Sequence, residues 1–298
     1  MKRKPLIEIT MVALVFAAAC ANPLRSFAST SGIEMVRVDG GTFELGRELG
    51  TAGSGDVAPV STVTLTGFYI GRFPITQEEF YAVMGFNPSW HTIARGNPPW
   101  TGETDARRPV EAMNWYEAIV FSNRLSIMAG LTPAYSIRGH TNPDYWGPVP
   151  GAWSEIWNAV EIVGGSTGYR LPTEAQWEFA AKGGSTGERF TFAGSNDADM
   201  VAWHSGNSGG RTREVGRLAA NGLGIHDMSG NVWEWIWDWG GSYTSKPKTD
   251  PAGVPSGSFR VLRGGSWFSP DGNVRSVFRL IDDPSSWDGN VGFRVVRP

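Results

Sequence analysis

Apolar and polar positions alternate at Met35-Val36-Arg37-Val38 and again at Thr42-Phe43-Glu44-Leu45, on either side of Asp39-Gly40-Gly41. A period of two is the spacing of a strand with one covered face, and the glycine-rich break is a turn. Val63-Thr64-Leu65 and Phe68-Tyr69-Ile70 read as a further strand pair. Three later stretches carry helix start and stop signals. Thr76 is an N-cap with Glu79 as its capping-box partner, Ile75 and Phe80 stand at staple positions, and Gly85 is the stop. Asn114 with Glu117 starts a second helix that Gly130 ends, and Thr173 with Gln176 starts a third that Gly183-Gly184 ends.

The pattern changes in the tail. Arg263-Gly264-Gly265-Ser266-Trp267 is a glycine turn followed by a large aromatic, and Gly292-Phe293-Arg294-Val295-Val296 is strand-like, with apolar side chains to bury. Between them no period holds. Phe268, Phe278, Leu280, Ile281 and Trp287 are mixed with Ser269, Pro270, Asp271, Asp282, Asp283, Ser285, Ser286, Asp288, Gly289 and Asn290. Neither helical nor strand spacing collects these apolar residues on one face, so some are expected to face solvent. Exposed aromatics among short polar groups make a binding surface. The same pattern also fits an ordinary irregular loop with a few buried anchors.

Composition adds little to the fold and more to what is excluded. The many Trp, Gly and Pro residues point to a loop-rich, aromatic-packed protein rather than a helical bundle. A net charge of -3 gives no basic footprint for nucleic acid. One cysteine allows no intramolecular disulfide. No repeat or linker divides residues 34–298, which are expected to be one domain and a monomer.

The first residues read as an address. Met1-Lys2-Arg3-Lys4 is a basic segment, Ile9 to Ala19 is apolar but too short to span a bilayer, and Cys20 follows three alanines. That arrangement resembles the lipobox of bacterial lipoproteins, which implies an acylated Cys20 as the mature N-terminus after a signal at 1–19; a plain secretory signal is the alternative. Residues 20–33 are then a flexible leader to the membrane, on an exported protein of the outer membrane or cell surface.

The chain also resembles the formylglycine-generating enzyme (sulfatase-modifying factor) family. The residues that carry the likeness are Gly168-Tyr169-Arg170-Leu171-Pro172-Thr173-Glu174-Ala175-Gln176-Trp177-Glu178, the block from Leu223 through Gly230-Asn231-Val232-Trp233-Glu234-Trp235, the Arg263–Trp267 turn and Gly292-Phe293-Arg294. Weaker echoes occur at Gly40-Gly41-Thr42-Phe43 and Asn87-Pro88-Ser89. The resemblance implies an α+β, C-type lectin-like fold, loop-rich, with a small twisted antiparallel sheet and a few capped helices. Enzymes of that family oxidise a substrate cysteine with their own tail cysteines, which also hold copper. The corresponding stretch here, Trp267 to Arg275, has none. His91, His140, His204 and His226 lack ligand spacing for an iron variant. Gly206-Asn207-Ser208-Gly209-Gly210 is a turn cluster without triad partners. The family also binds calcium through positions matching Asp227, Gly230, Val232 and Glu234, oxygen ligands suited to Ca²⁺; capping of backbone amides by Glu234 is the alternative. No cofactor is required beyond that structural ion.

The tail further resembles the variable proteins of diversity-generating retroelements, whose last segment is rewritten at adenines of an Asn-rich template. The fixed letters of that pattern stand at Trp267, Arg275, Ser276, Arg279, Pro284 and Gly292-Phe293-Arg294. Its Asn positions hold Phe268, Ser269, Pro270, Phe278, Leu280, Ile281, Asp282, Asp283, Asp288 and Gly289, all reachable from AAC by changing the first two letters, while Asn290 keeps the template residue. Trp287 stands at an Arg position, reachable from AGG. The implied variable region is about 260–298, with Asp271, Ser285 and Ser286 included among its contact residues. The expected function is binding of a protein or glycan ligand, with Trp287, Phe268, Phe278 and Ile281 as anchors and the aspartates favouring basic or polyhydroxyl ligands. The other two readings are an enzyme of the sulfatase-modifying type with non-cysteine chemistry and a fixed structural lipoprotein.

Overall fold

The first four strands form where alternation places them, but they pair differently. In this computed structural model, which describes residues 32–47, 58–187 and 190–298, strand β1 (Met35–Val38) lies antiparallel to β4 (Phe68–Gly71), and β2 (Gly41–Leu45) to β3 (Ser61–Leu65). The turn at Asp39-Gly40 thus passes the chain from one sheet to another instead of closing a hairpin. A close backbone approach explains the glycine: a Cβ on Gly40 would lie 2.6 Å from the Leu65 carbonyl oxygen. Ile33 is buried in the core.

The three capped helices stand as expected. Helix α1 (Gln77–Met84) has both capping-box hydrogen bonds between Thr76 and Glu79 and ends at Gly85 in the left-handed region, φ 82°. Helix α2 (Trp115–Met128) has the same box at Asn114 and Glu117. After β5 (Tyr135–Ser136), the single turn α3 (Glu155–Asn158) and β6 (Glu161–Ile162) comes α4 (Glu174–Ala181), boxed by Thr173 and Gln176. The turn α5 (Ala198–Val201), β7 (Ala202–Trp203) and β8 (Ser229–Gly230) lead to β9 (Trp233–Trp239), then β10 (Lys248–Thr249), β11 (Arg260–Arg263), β12 (Arg279–Asp282), β13 (Val291–Gly292) and β14 (Val296–Arg297).

The central sheet has the order β12-β11-β9-β13. Its pleat divides the core. Trp235 and Leu262 face the cluster built around α2, while Ile236 and Val261 face the cluster built around α4. Helix α4 is buried on every side, including Glu174 and Glu178. Such carboxylates stay buried only with partners, and the tail supplies them. Gly292 to Val296, read as an alternating strand, is buried at every position because it passes between both clusters and joins β4 through β14.

Candidate functional site

Buried arginines fix the tail. Arg263 donates to Glu178 Oε2 at 2.5 Å, to Glu174 Oε1 at 3.3 Å and to the carbonyls of Ser276 (2.8 Å) and Val277 (2.9 Å). One guanidinium therefore clamps the chain thirteen and fourteen residues ahead to helix α4. Arg279 forks onto both oxygens of Glu174, each at 2.8 Å. Arg294 does the same to Glu234, both bonds at 2.7 Å, and also donates to the carbonyl of Gly71 at 3.0 Å. Burial alone would raise the Glu178 carboxyl, but the charges of Lys182 and Arg263 outweigh it and hold its pKa below the ordinary value. The glycines beside these arginines are equally constrained. Gly264 and Gly265 have φ of 94° and 74°, and a Cβ on Gly292 would lie 2.3 Å from the carbonyl oxygen of Val110.

Between these fixed points the side chains reach solvent. Phe268 is 69% exposed, Trp287 55%, Ile281 46% and Leu280 44%; Pro270, Asp271 and Asp288 are exposed as well. Phe278 is half-buried, tilted against Trp233 with ring centroids 6.0 Å apart, so it is an internal prop more than an anchor for a ligand. Asp282, Asp283, Ser285 and Ser286 form a compact turn, with Asp283 accepting from the Ser285 N–H at 2.8 Å and Asp282 from the Ser286 hydroxyl at 3.0 Å. Gly289 and Asn290 are half-buried, and the Asn290 carbonyl accepts from the Trp233 N–H at 2.8 Å.

Ser269 corrects the expectation of a contact residue. It is only 7% exposed; its hydroxyl accepts from the Ser266 N–H at 3.0 Å and its carbonyl from the Ser205 N–H at 2.9 Å. A short polar side chain here closes the Ser266–Ser269 turn, which holds Phe268 outward.

One surface residue lies outside the tail and carries no one-dimensional signal. Trp90, 48% exposed, approaches Gly289, whose Cβ position lies 3.5 Å from its Cβ. Its neighbour His91 packs edge-on to Trp267, ring centroids 4.9 Å apart, and Trp267 donates from its indole to the Gly289 carbonyl at 2.9 Å. The buried carboxylate of Glu111 accepts from the N–H groups of both Trp90 (3.0 Å) and His91 (2.9 Å). The Asn87-Pro88-Ser89 block directly precedes this turn, and the Ser89 hydroxyl accepts from the Glu111 N–H at 3.3 Å.

The residues expected to hold calcium do not fit it. Both oxygens of Glu234 are taken by Arg294, and one also accepts from the Trp177 indole at 2.7 Å. Asp227 accepts from the Gly216 N–H at 2.8 Å, and burial pushes its carboxyl upward, toward the neutral form. Gly230 and Val232, which would offer only backbone carbonyls, are buried. A carboxylate already neutralised by a bidentate guanidinium has no charge left for a cation. Among the described residues no three His, Cys, Asp or Glu side chains gather as a metal site. The four histidines stay apart in role: His204 pairs with Asp199 at 2.9 Å, and His226 contacts the Leu218 carbonyl at 2.9 Å. Cys20 lies outside the described residues. No helix among the described residues is long and apolar enough to cross a membrane.

A loop-rich α+β scaffold with capped helices, small sheets and a tail clamped by buried arginines defines a C-type lectin-like fold of the formylglycine-generating type. The chain belongs to the sulfatase-modifying factor enzyme 1-like domain family, whose sequence model matches residues 22–298. It is 36% identical to the chaperone protein LppX of Paenibacillus barcinonensis, over 99% of each chain. It is 32% identical to the formylglycine-generating enzyme of Streptomyces coelicolor, over 93% of each chain. Among solved structures it is similar to Treponema denticola variable protein 1, with 36% identity, a TM-score of 0.81, and coverage of 89% of this chain and 95% of that one.

Proposed function

We propose that this protein is an exported, lipid-anchored ligand-binding protein whose tail, residues 268–290, is a diversified binding site on a fixed scaffold. The observation that carries the reading is the division of labour within the tail. Of the eight residues at fixed letters of the retroelement pattern, Ser276, Arg279, Pro284, Gly292, Phe293 and Arg294 are buried and Trp267 and Arg275 half-buried. Of the template-Asn positions only Ser269 is buried. A surface whose side chains, Ser269 and Phe278 apart, carry none of the core can change without loss of the fold, as antibody loops do. Similarity to a variable protein over nine-tenths of the chain supports the same reading. Anchoring through Cys20 rests on the lipobox-like sequence and on the full-length likeness to an LppX protein. Cysteine-dependent oxidation has no residue to carry it in the tail.

The test is to sequence the 3′ coding end and its flanking DNA across the source population. Substitutions confined to the codons of 268–290, beside a near-copy differing only at adenines, would establish diversification; an invariant tail without such a copy would end it.

A chaperone role is a second reading, favoured by the likeness to LppX together with the exposed pair Leu280 and Ile281 on edge strand β12. It predicts suppressed aggregation of an unfolding client, lost in Leu280→Asp/Ile281→Asp. A double variant as protective as the wild type would exclude it.

A further inference from the structure

The exposed aromatics of the tail are continued by one from far earlier in the chain. Trp90 stands against Gly289, and Trp287 lies two residues before that glycine. On the other side, Trp267 bridges to Phe268, with ring centroids 5.4 Å apart, while its indole N–H holds the Gly289 carbonyl. His91 backs this bridge, and Glu111 fixes the Trp90-His91 backbone from below. The Ala112 N–H donates to the Asp288 carbonyl at 2.9 Å, so the segment 89–112 and the tip of the tail are one unit.

Along residues 268–290 the charge is mostly acidic, four aspartates against Arg275 and Arg279, while the exposed Arg95 lies on the 89–112 segment. Asp271, Asp282, Asp283 and Asp288 have no ion-pair partner among the described residues. The tail's Arg279 is buried and spent on Glu174. Aromatic faces attract cations through their quadrupoles, and unpaired carboxylates beside them add to that attraction. A neutral sugar can stack here and donate its hydroxyls to the carboxylates, but it brings no charge to offset theirs. A guanidinium or ammonium gains from both.

We propose that Trp90 is an invariant wall of the binding surface, and that the ligand of this copy is a basic polypeptide segment whose arginine or lysine side chains stack on Trp90, Trp287 and Phe268 while Asp282, Asp283 and Asp288 offset their charge. The inference rests on the tail being the site, and it adds a residue no diversification of the tail can alter. A fixed wall gives every variant one common contact, with specificity left to the changing side chains.

Fluorescein-labelled peptides of alternating arginine and serine, lysine and serine, and glutamate and serine provide the probes, read by anisotropy at low and high salt. The arginine peptide is expected to bind most tightly and to weaken with salt. Trp90→Ala and Trp287→Ala are each expected to lose about tenfold in affinity, typical of truncating an aromatic hot spot, with unchanged thermal midpoints. Equal or absent affinity for basic over acidic peptides overturns the ligand class while leaving the tail as the site. Wild-type affinity in Trp90→Ala overturns the wall. Loss in Trp90→Ala but not in Trp287→Ala or Phe268→Ala overturns the tail as the site, and this proposal with it.

Discussion

Gly289 and Gly292 stand three residues apart in the same tail and obey opposite rules. A Cβ on Gly292 meets the backbone of Val110 at 2.3 Å; one on Gly289 meets Trp90 at 3.5 Å, an ordinary contact, with Glu111 at 3.7 Å. The difference extends to whole regions. The frame, Arg263 to Ser266 and Val291 to Val296, is buried and held by Glu174, Glu178 and Glu234, whereas the stretch between hangs from it by backbone bonds and by a few buried pegs, Arg279 on Glu174 and Ser269, Val274, Ser276 and Val277 among them. Scaffold and surface can thus be interleaved residue by residue, provided that the frame's bonds use side chains and the surface's bonds use main chain. The Asn290 and Asp288 carbonyls illustrate the second kind, since any residue there presents the same oxygen.

The sharpest break of the frame is Arg294→Ala. It strands the fully buried Glu234 carboxylate and is expected to cost about 3–5 kcal/mol, a fall in Tm of about 2–4 °C for each of these in a domain of this size, read by calorimetry. Next is the glycine pair. Gly292→Ala is expected to cost about 1–3 kcal/mol from overpacking against backbone, and Gly289→Ala to stay within about 0.5 kcal/mol, both from urea midpoints. Equal costs would erase the contrast.

The support of Glu174 has a pH signature. Asp238, whose carboxylate accepts from the Glu174 N–H at 3.1 Å, has its pKa raised to about 7, first by burial and then by the neighbouring Glu174 charge. A pKa raised by folding stabilises the protonated folded form, fully below the ordinary aspartate value, and that stability is lost as pH rises through about 7. Asp238→Asn, which keeps the acceptor oxygen, should flatten the fall in urea midpoint from acid to mildly alkaline pH. An unchanged slope would place the titration elsewhere. Ser269→Ala should cost about 1 kcal/mol for its lost turn bond, which would set this residue with the frame. Trp287→Ala is the smallest change, within about 0.5 kcal/mol, while ligand binding falls; a large loss of stability would make Trp287 core.

Local chemistry made the helices legible. Thr76 with Glu79, Asn114 with Glu117 and Thr173 with Gln176 are contacts within one turn, so the chain itself states them. The strands were legible as strands but not in their partners, because the β1–β4 and β2–β3 pairing is decided by packing across the Gly40 turn and not by spacing. Exposure of Phe268, Leu280, Ile281 and Trp287 followed from their lack of period. The burial of Ser269 did not, since a serine reads alike in a turn and on a surface. Trp90 was invisible because nearly two hundred residues separate it from Gly289. The Glu234 ion pair was hidden for the same reason: a carboxylate beside oxygen donors reads as a cation ligand until the distant Arg294 arrives.

The most direct test is a saturation library over residues 260–298, selected for protease resistance and read position by position. Positions 268, 270, 271, 280, 281 and 287 to 289 are expected to accept nearly every residue, and 263 to 266, 269, 279 and 292 to 294 to accept few. Uniform intolerance along the tail would contradict the separation of frame from surface, and the binding site would have to be sought elsewhere.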